Sequence, residues 1–218
     1  MKAIIFSLLG WMFLPVMDGF AKFLSDDLPI LQITWARYFF TVVFTLPIMI
    51  FFFNKQLVWS DKPKLQILRG LILLSANICF FYAISIISLA KALTLAFVAP
   101  LIVTAFSPVM LGEKVGFRRW TAVVVGFIGS LVVIRPGFVE LNFASLAALG
   151  TGILYGFYLI ITRKLSTSDN PLLTLLMTGM VGAILVSAII PFYWVKPSLN
   201  QWSLMAGIGV FACIGHLF

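Results

Sequence analysis

Charge is what this sequence has least of. Of its 218 residues only 10 % are charged, and only seven of those are acidic. A soluble domain carries about 25 % charge, because water must wet its surface. So little charge cannot cover a water-exposed globule of this length, which excludes an ordinary soluble fold. Histidine occurs once, and the two cysteines, Cys79 and Cys213, both lie inside apolar runs. They read as small core residues, which excludes a disulfide or metal framework. No HExxH pair, GxSxG elbow or phosphate-cradling loop is present. ATP hydrolysis by the chain is therefore not expected, and neither is a cofactor or a metal. A membrane-embedded enzyme would need His, Asp, Glu or Cys gathered at one membrane face, and the sparse acids and lone histidine argue against one. The chain is read as a non-enzyme.

Apolar length is what the sequence has in abundance. Hydrophobic residues make up 62 % of it, with 22 phenylalanines. A helix needs about 20 apolar residues to cross a bilayer. Such runs occupy positions 3–24, 30–53, 68–87, 92–111, 117–135, 144–162 and 172–193, with an eighth at 203–218. They are continuously apolar and do not alternate with period two, which disfavours strands. The first run contains Asp18 and Lys22 and no small-residue cleavage site, so it reads as a retained span and not as a signal peptide. Turn residues separate the runs: Ser25-Asp26-Asp27-Leu28-Pro29, Asp61 to Pro63, Arg135-Pro136-Gly137 and Ser168-Asp169-Asn170-Pro171. The fold class expected is an all-α polytopic transmembrane bundle.

The net charge of +8 sits in short tracts between the runs, so it specifies topology and does not point to nucleic acid. With the N-terminus in the cytoplasm, ten Lys and Arg fall on the inside: Lys2, Lys55, Lys62, Lys64, Arg69, Lys114, Arg118, Arg119, Arg163 and Lys164. Three fall outside: Lys91, Arg135 and Lys196. That bias predicts a cytoplasmic N-terminus. A weak internal repeat is also present. Leu9-Gly10, Pro29 and Pro47 recur in order as Leu149-Gly150, Pro171 and Pro191, with spacings two residues longer. A first unit of five spans turns the second upside down, as in the inverted repeats of secondary transporters. Ten helices are then expected and about eight are present, so the reading expects a chain cut short by roughly 60–80 residues at about 20 per span plus loops.

The stretch Phe80 to Gly137 carries Phe81-Tyr82-Ala83, Leu111-Gly112-Glu113, Arg118-Arg119-Trp120 and Arg135-Pro136-Gly137 in sequence. Met17-Asp18-Gly19-Phe20-Ala21-Lys22 and Trp35-Ala36-Arg37-Tyr38 precede it. This combination resembles EamA-type members of the drug/metabolite transporter superfamily over essentially the whole chain. The resemblance implies ten helices in two inverted five-helix repeats, here a first repeat at 1–137 and an incomplete second at 138–218. It implies a bacterial inner-membrane secondary carrier that exports small metabolites such as amino acids or related amphiphilic compounds. Some relatives of the MDAxAK subgroup take up S-adenosylmethionine, which leaves uptake of a similar metabolite as an alternative. A non-transporting structural subunit is a third reading. Expected partners are a small-molecule substrate, the lipid bilayer, a coupling proton or ion, and a second copy in a homodimer.

A charge within a span is costly and marks a candidate site. Asp18 and Arg37 each lie about eight residues from the first turn, roughly 12 Å deep at 1.5 Å per residue, so they can meet. Arg37 suits a planar anion. Asp18 suits a substrate amine or a coupling proton. The plainer alternative is an ion pair that fixes two helices, with Lys22 snorkelling to the surface. The repeat sets Tyr158 opposite Asp18. Pro100 predicts a bend at the carbonyl of Ala96, either a hinge or a harmless kink. Asn77 reads as an interhelical hydrogen bond or a ligand. Trp11, Trp35, Tyr82 and Tyr155 either stack on substrate or pack. Glu113 and Lys114 suggest a salt bridge with Arg118 or Arg119, or a gate. No role is expected for His216.

Overall fold

The computed structural model describes the backbone of residues 2–53, 60–134 and 142–217, and the side chains of 12–51, 60–129, 131–132 and 142–216. The expected turn at Arg135-Pro136-Gly137, the repeat boundary at 137, Lys55 and the Trp11 side chain lie outside the described residues. All regular structure among the described residues is helical: α1 (Lys2–Leu24), α2 (Ile30–Phe53), α3 (Pro63–Ile86), α4 (Leu89–Ala96), α5 (Ala99–Leu111), α6 (Phe117–Ile134), α7 (Phe143–Leu165), α8 (Pro171–Ile189) and α9 (Leu199–Leu217). A 3₁₀ turn over Ile190–Tyr193 extends α8.

Among the described residues five stretches are long and apolar enough to cross a membrane: Ile30–Phe51, Pro63–Ile86, Leu89–Leu111, Phe143–Leu165 and Pro171–Tyr193. Phe51, Val109, Phe192 and Leu199 are each at least 84 % exposed. Large apolar side chains turned outward in such number suit hydrocarbon and not water.

The helix ends follow from local chemistry. The Asn170 side chain accepts from the Leu172 N–H at 2.8 Å, and Pro171, which has no N–H to lose, occupies the first turn of α8. Ser198 and Gln201 form a reciprocal box at the start of α9. The Ser198 N–H donates to Gln201 Oε1 at 2.8 Å, and the Gln201 N–H donates to Ser198 Oγ at 3.3 Å. Helix α5 ends at Gly112, whose φ of 71° is left-handed backbone that glycine adopts without a Cβ clash. Helix α3 begins at Pro63, five residues before its apolar run: Pro63 and Lys64 are exposed in its first turn, and Gln66 is buried there against Asp169 and Thr174.

The chain divides into two compact units, residues 1–71 with 168–218 and residues 72–167. In the first, α1 packs on α9, and α2 packs on both α8 and α9. Helices α2 and α8 are antiparallel. Met49 clusters with Leu172, Leu173 and Leu176, Val42 meets Gly179, and the Tyr38 ring lies on Gly182. Helix α9 lies against α2 at Gly209, which faces Phe40. Phe211 stacks on Phe13 at 5.9 Å and meets Phe20 edge-on at 5.6 Å, which joins α9 to α1. Gln32 binds the backbone of Val195 twice, donating to its carbonyl at 2.8 Å and accepting from its N–H at 3.0 Å. That clamp ties the start of α2 to the connection before α9.

In the second unit α7 packs on α4 and α5. The expected single span at 92–111 is two helices, broken at Phe97 and Val98. Pro100 lacks the N–H that would bond Ala96, so the helix stops and restarts there. Glycines at 152 and 156 on α7 face the break. A Cβ on Gly152 would lie 2.6 Å from the Ala96 carbonyl oxygen, and one on Gly156 would lie 2.7 Å from Ile102. Only a side chain of zero size lets the broken helix approach so closely.

Candidate functional site

The first unit gathers ionisable side chains from four helices. Arg37 on α2 is buried, and its Nη2 meets Nε2 of His216 on α9 at 2.9 Å. A guanidinium has no acceptor, so this imidazole nitrogen accepts and the ring is neutral, with its proton on Nδ1. The Arg37 guanidinium also lies 5.9 Å from the Tyr38 ring centroid. Asp18 on α1 is buried and within electrostatic range of Arg37. Arg69 on α3 is buried as well. It donates to the Thr174 carbonyl at 3.0 Å and to Thr178 Oγ1, and its charge acts on His216.

The depth of this group follows from α8. Tyr38 lies on Gly182, eleven residues beyond Pro171. At 1.5 Å per residue that is about 16 Å, near the middle of a hydrocarbon layer about 30 Å thick. Thr178, bound to Arg69, lies only about 10 Å in. The charged group therefore runs from mid-depth toward the end of the unit that carries the connection before α8.

A second polar cluster sits at that end. Asp169 accepts from Ser60 Oγ and from Gln66 Nε2, the latter at 2.6 Å, and Gln66 Nε2 also reaches Thr174 Oγ1 at 3.2 Å. Burial pushes the Asp169 carboxyl up. Hydrogen bonds from Ser60, Gln66, Ser168 and the Asp61 backbone outweigh burial and hold it below the usual carboxylate range. Gln66 Oε1 is buried without a partner among the described residues.

The expected candidates distribute unevenly. Asp18 and Arg37 are brought into one group. Lys22 is half-buried one turn beyond Asp18, and its ammonium makes no ion pair among the described residues. Trp35 is taken up by packing: its Nε1 donates to Ser187 Oγ at 2.9 Å, and its ring stacks on Phe39 at 4.4 Å and meets Trp194 edge-on at 5.3 Å. The other five lie in the second unit. Tyr155 stacks on the buried Tyr158 at 5.3 Å. Asn77 is buried on α3, Tyr82 is exposed, and Pro100 is exposed in the first turn of α5. Glu113 pairs with Arg119 at 3.8 Å, and with Arg163 at 2.7 Å, a partner sequence spacing does not suggest.

His216 and Arg69 are the residues that sequence reasoning passed over. Arg69 looked like a loop charge because its apolar run begins at 68, yet the helix begins five residues earlier and buries it in the second turn. His216 meets Arg37 across 179 positions of chain, which no local pattern reveals.

A model of the EamA-like transporter family matches residues 1–135. The chain belongs to the EamA-like transporter family. It is a multi-pass membrane protein, in keeping with the five apolar spans. It is 26 % identical over 192 residues to the S-adenosylmethionine uptake transporter of Rickettsia prowazekii, covering 88 % of this chain and 65 % of that protein. This EamA-like chain thus spans about two thirds of that relative's length. It is 23 % identical to the riboflavin transporter of Vibrio cholerae, covering 92 % of this chain and 69 % of the relative. It is 27 % identical to the pseudopaline exporter of Pseudomonas aeruginosa, covering 93 % and 72 %. A solved crystal structure superposes with a TM-score of 0.74 over 98 % of this chain and 75 % of its own, at 16 % identity, which supports the fold alone.

Proposed function

We propose that this EamA-like protein is a secondary carrier that moves small amphiphilic metabolites across the bacterial inner membrane by alternating access. The observation that carries the reading is the burial of two ionisable side chains of the first unit, Asp18 on α1 and Arg37 on α2, within apolar helices. Charges there are costly and are kept where they meet substrate or a coupling ion. Arg37 would hold a carboxylate through its fork, and Asp18 an amine or a proton. In this reading residues 1–137 and 138–218 belong to two inverted repeats, the N-terminus is cytoplasmic, and net flux is outward. Trp35, Asn77, Tyr82, Pro100, Tyr155, Tyr158 and Lys22 remain candidates for lining or hinging the path, and a homodimer for its assembly.

Uptake is the second reading, favoured by the name of the Rickettsia relative. An S-adenosylmethionine-like compound carries both a carboxylate and an amine, which suits the same pair. Comparative metabolite profiling tests both directions. Cells expressing the chain or its Asp18→Asn variant, matched for membrane insertion, would have medium and cell contents assayed. A compound redistributed by the parent and not by the variant supports a carrier and gives its direction. Unchanged profiles with both proteins inserted would sink the reading.

A further inference from the structure

The second unit gathers positive charge at one end. Glu113, just past α5, pairs with Arg119 of α6 at 3.8 Å and with Arg163 of α7 at 2.7 Å. Those two contacts bring the start of α6 and the end of α7 to one point. Lys114, Arg118 and Lys164 adjoin these residues in the chain, are exposed, and make no ion pair among the described residues. Five basic side chains thus surround one carboxylate, which leaves the patch with four net positive charges. Glu113 is the one acidic residue of this unit among those described, so no other described carboxylate of the unit offsets them.

Helix ends set the depth of the patch. The apolar stretches Leu89–Leu111 and Phe143–Leu165 both finish beside it, which puts the basic heads where hydrocarbon gives way to lipid headgroups. Exposed apolar side chains rim it on the hydrocarbon side: Val109 and Met110 end α5, and Phe117 and Trp120 open α6. A tryptophan at such a helix end is a residue of the membrane–water boundary. Sorting the connections to one side of a membrane requires positive charge on that side, but it does not require the charges to converge. Here two separate stretches of chain, 114–119 and 163–164, meet at one carboxylate. A lipid with an anionic headgroup suits both features, its phosphate over the basic side chains and its acyl chains along α6, where Phe117, Trp120, Val124 and Ile128 are exposed at helical spacing.

We propose that this patch on the second unit is a docking site for anionic phospholipid headgroups. Lys114, Arg118 and Lys164 hold the phosphate, with the planar fork of Arg118 suited to its oxygens. Arg119 and Arg163 stay on Glu113 and form the floor of the site. Phe117, Trp120, Val124 and Ile128 seat the acyl chains. The site rests on α5 and α7 crossing the membrane and is independent of the carrier reading. Each basic side chain near an anionic membrane surface favours the anionic lipid roughly fivefold, and salt weakens the attraction.

Lipid photocrosslinking tests the site in the whole chain. A photoreactive benzoylphenylalanine would replace Phe117, which is 82 % exposed, or Phe143 at the opposite end of α7, which is 81 % exposed. Each protein would be reconstituted into vesicles of equal phosphatidylglycerol and phosphatidylcholine with identical acyl chains. After irradiation, mass spectrometry would count the lipid adducts. At position 117 phosphatidylglycerol adducts should exceed phosphatidylcholine adducts by about fivefold or more, and the excess at 143 should be several-fold smaller. Arg118→Gln with Lys164→Gln should remove most of the excess at 117. Lys62→Gln with Lys64→Gln, which takes the same charge from the first unit, should leave it in place. Should the first double variant not fold, raising the salt on the unaltered sequence should shrink the excess instead. Equal adducts at 117 would overturn the proposal, as would an equal excess at 143. So would an excess that survives both charge removal and salt, or one that the Lys62 and Lys64 variant abolishes as well.

Discussion

Gly209→Ala is the substitution that tests how Arg37 and His216 are held together. Gly209 lies on α9 where it meets α2. A Cβ there would stand 3.0 Å from the Phe40 carbonyl carbon and closer still to Phe40 Cβ. Neither atom can rotate away, since one is backbone and the other is fixed to it. Helix α9 must instead move off α2, loosening the seam that brings His216 to Arg37. Overpacking of this kind costs about 1–3 kcal/mol. Alanine also improves helix propensity by up to about 1 kcal/mol, but Gly150→Ala on α7, with nothing within 4 Å, shares that gain and serves as the reference. Gly209→Ala should therefore be about 1–3 kcal/mol less stable than Gly150→Ala, or roughly 5- to 150-fold in the folding equilibrium. SDS-driven unfolding in mixed micelles, followed by helical circular dichroism, measures the difference. Phe40→Ala should not rescue the variant, because the clashing Cβ remains. Equal stability of the two glycine variants would refute the close approach of α9 to α2.

Gln32→Ala should cost about 0.5–1.5 kcal/mol in the same assay, because it removes the two hydrogen bonds that the buried Gln32 amide makes to the exposed Val195 backbone. Asp169 supplies a pH dependence. Its carboxyl is held below the ordinary value of 3.8, so its contribution is present above that value and is lost as pH falls through the lower folded-state value. Thermal unfolding of the wild type should then weaken with acid below about pH 4, and Asp169→Asn should flatten that slope. Trp35→Phe should keep the ring stacking and lose the bond to Ser187, at about 0.5–1.5 kcal/mol.

The spans were legible because lipid imposes a simple rule on composition, and the turns because they carry their own chemistry. Ser25 to Pro29 separates α1 from α2 as its residues suggest, and Asn170-Pro171 opens α8 as a cap and first-turn proline should. Asp18 and Arg37 could be placed at one depth by counting from a shared turn. What could not be read was contact between distant stretches. The Arg37–His216 bond, the Trp35–Ser187 bond and the seats at Gly182 and Gly209 depend on which helices become neighbours. Apolar runs are too alike to specify that. Pro100 gave a bend at the right carbonyl, but its split into two helices is accommodated by glycines on α7 some fifty residues away.

The central claim is that Asp18 and Arg37 line a path opened in turn to each side of the membrane. Side-specific thiol labelling tests this without knowing the substrate. Cys79 and Cys213 would be replaced by alanine, and Asp18→Cys and Arg37→Cys introduced singly. Inserted protein would then be exposed to a membrane-impermeant thiol reagent from one face or the other. The account predicts labelling from both faces at one or both positions. Folded, inserted variants that label from neither face would make the pair a structural tie and contradict the carrier.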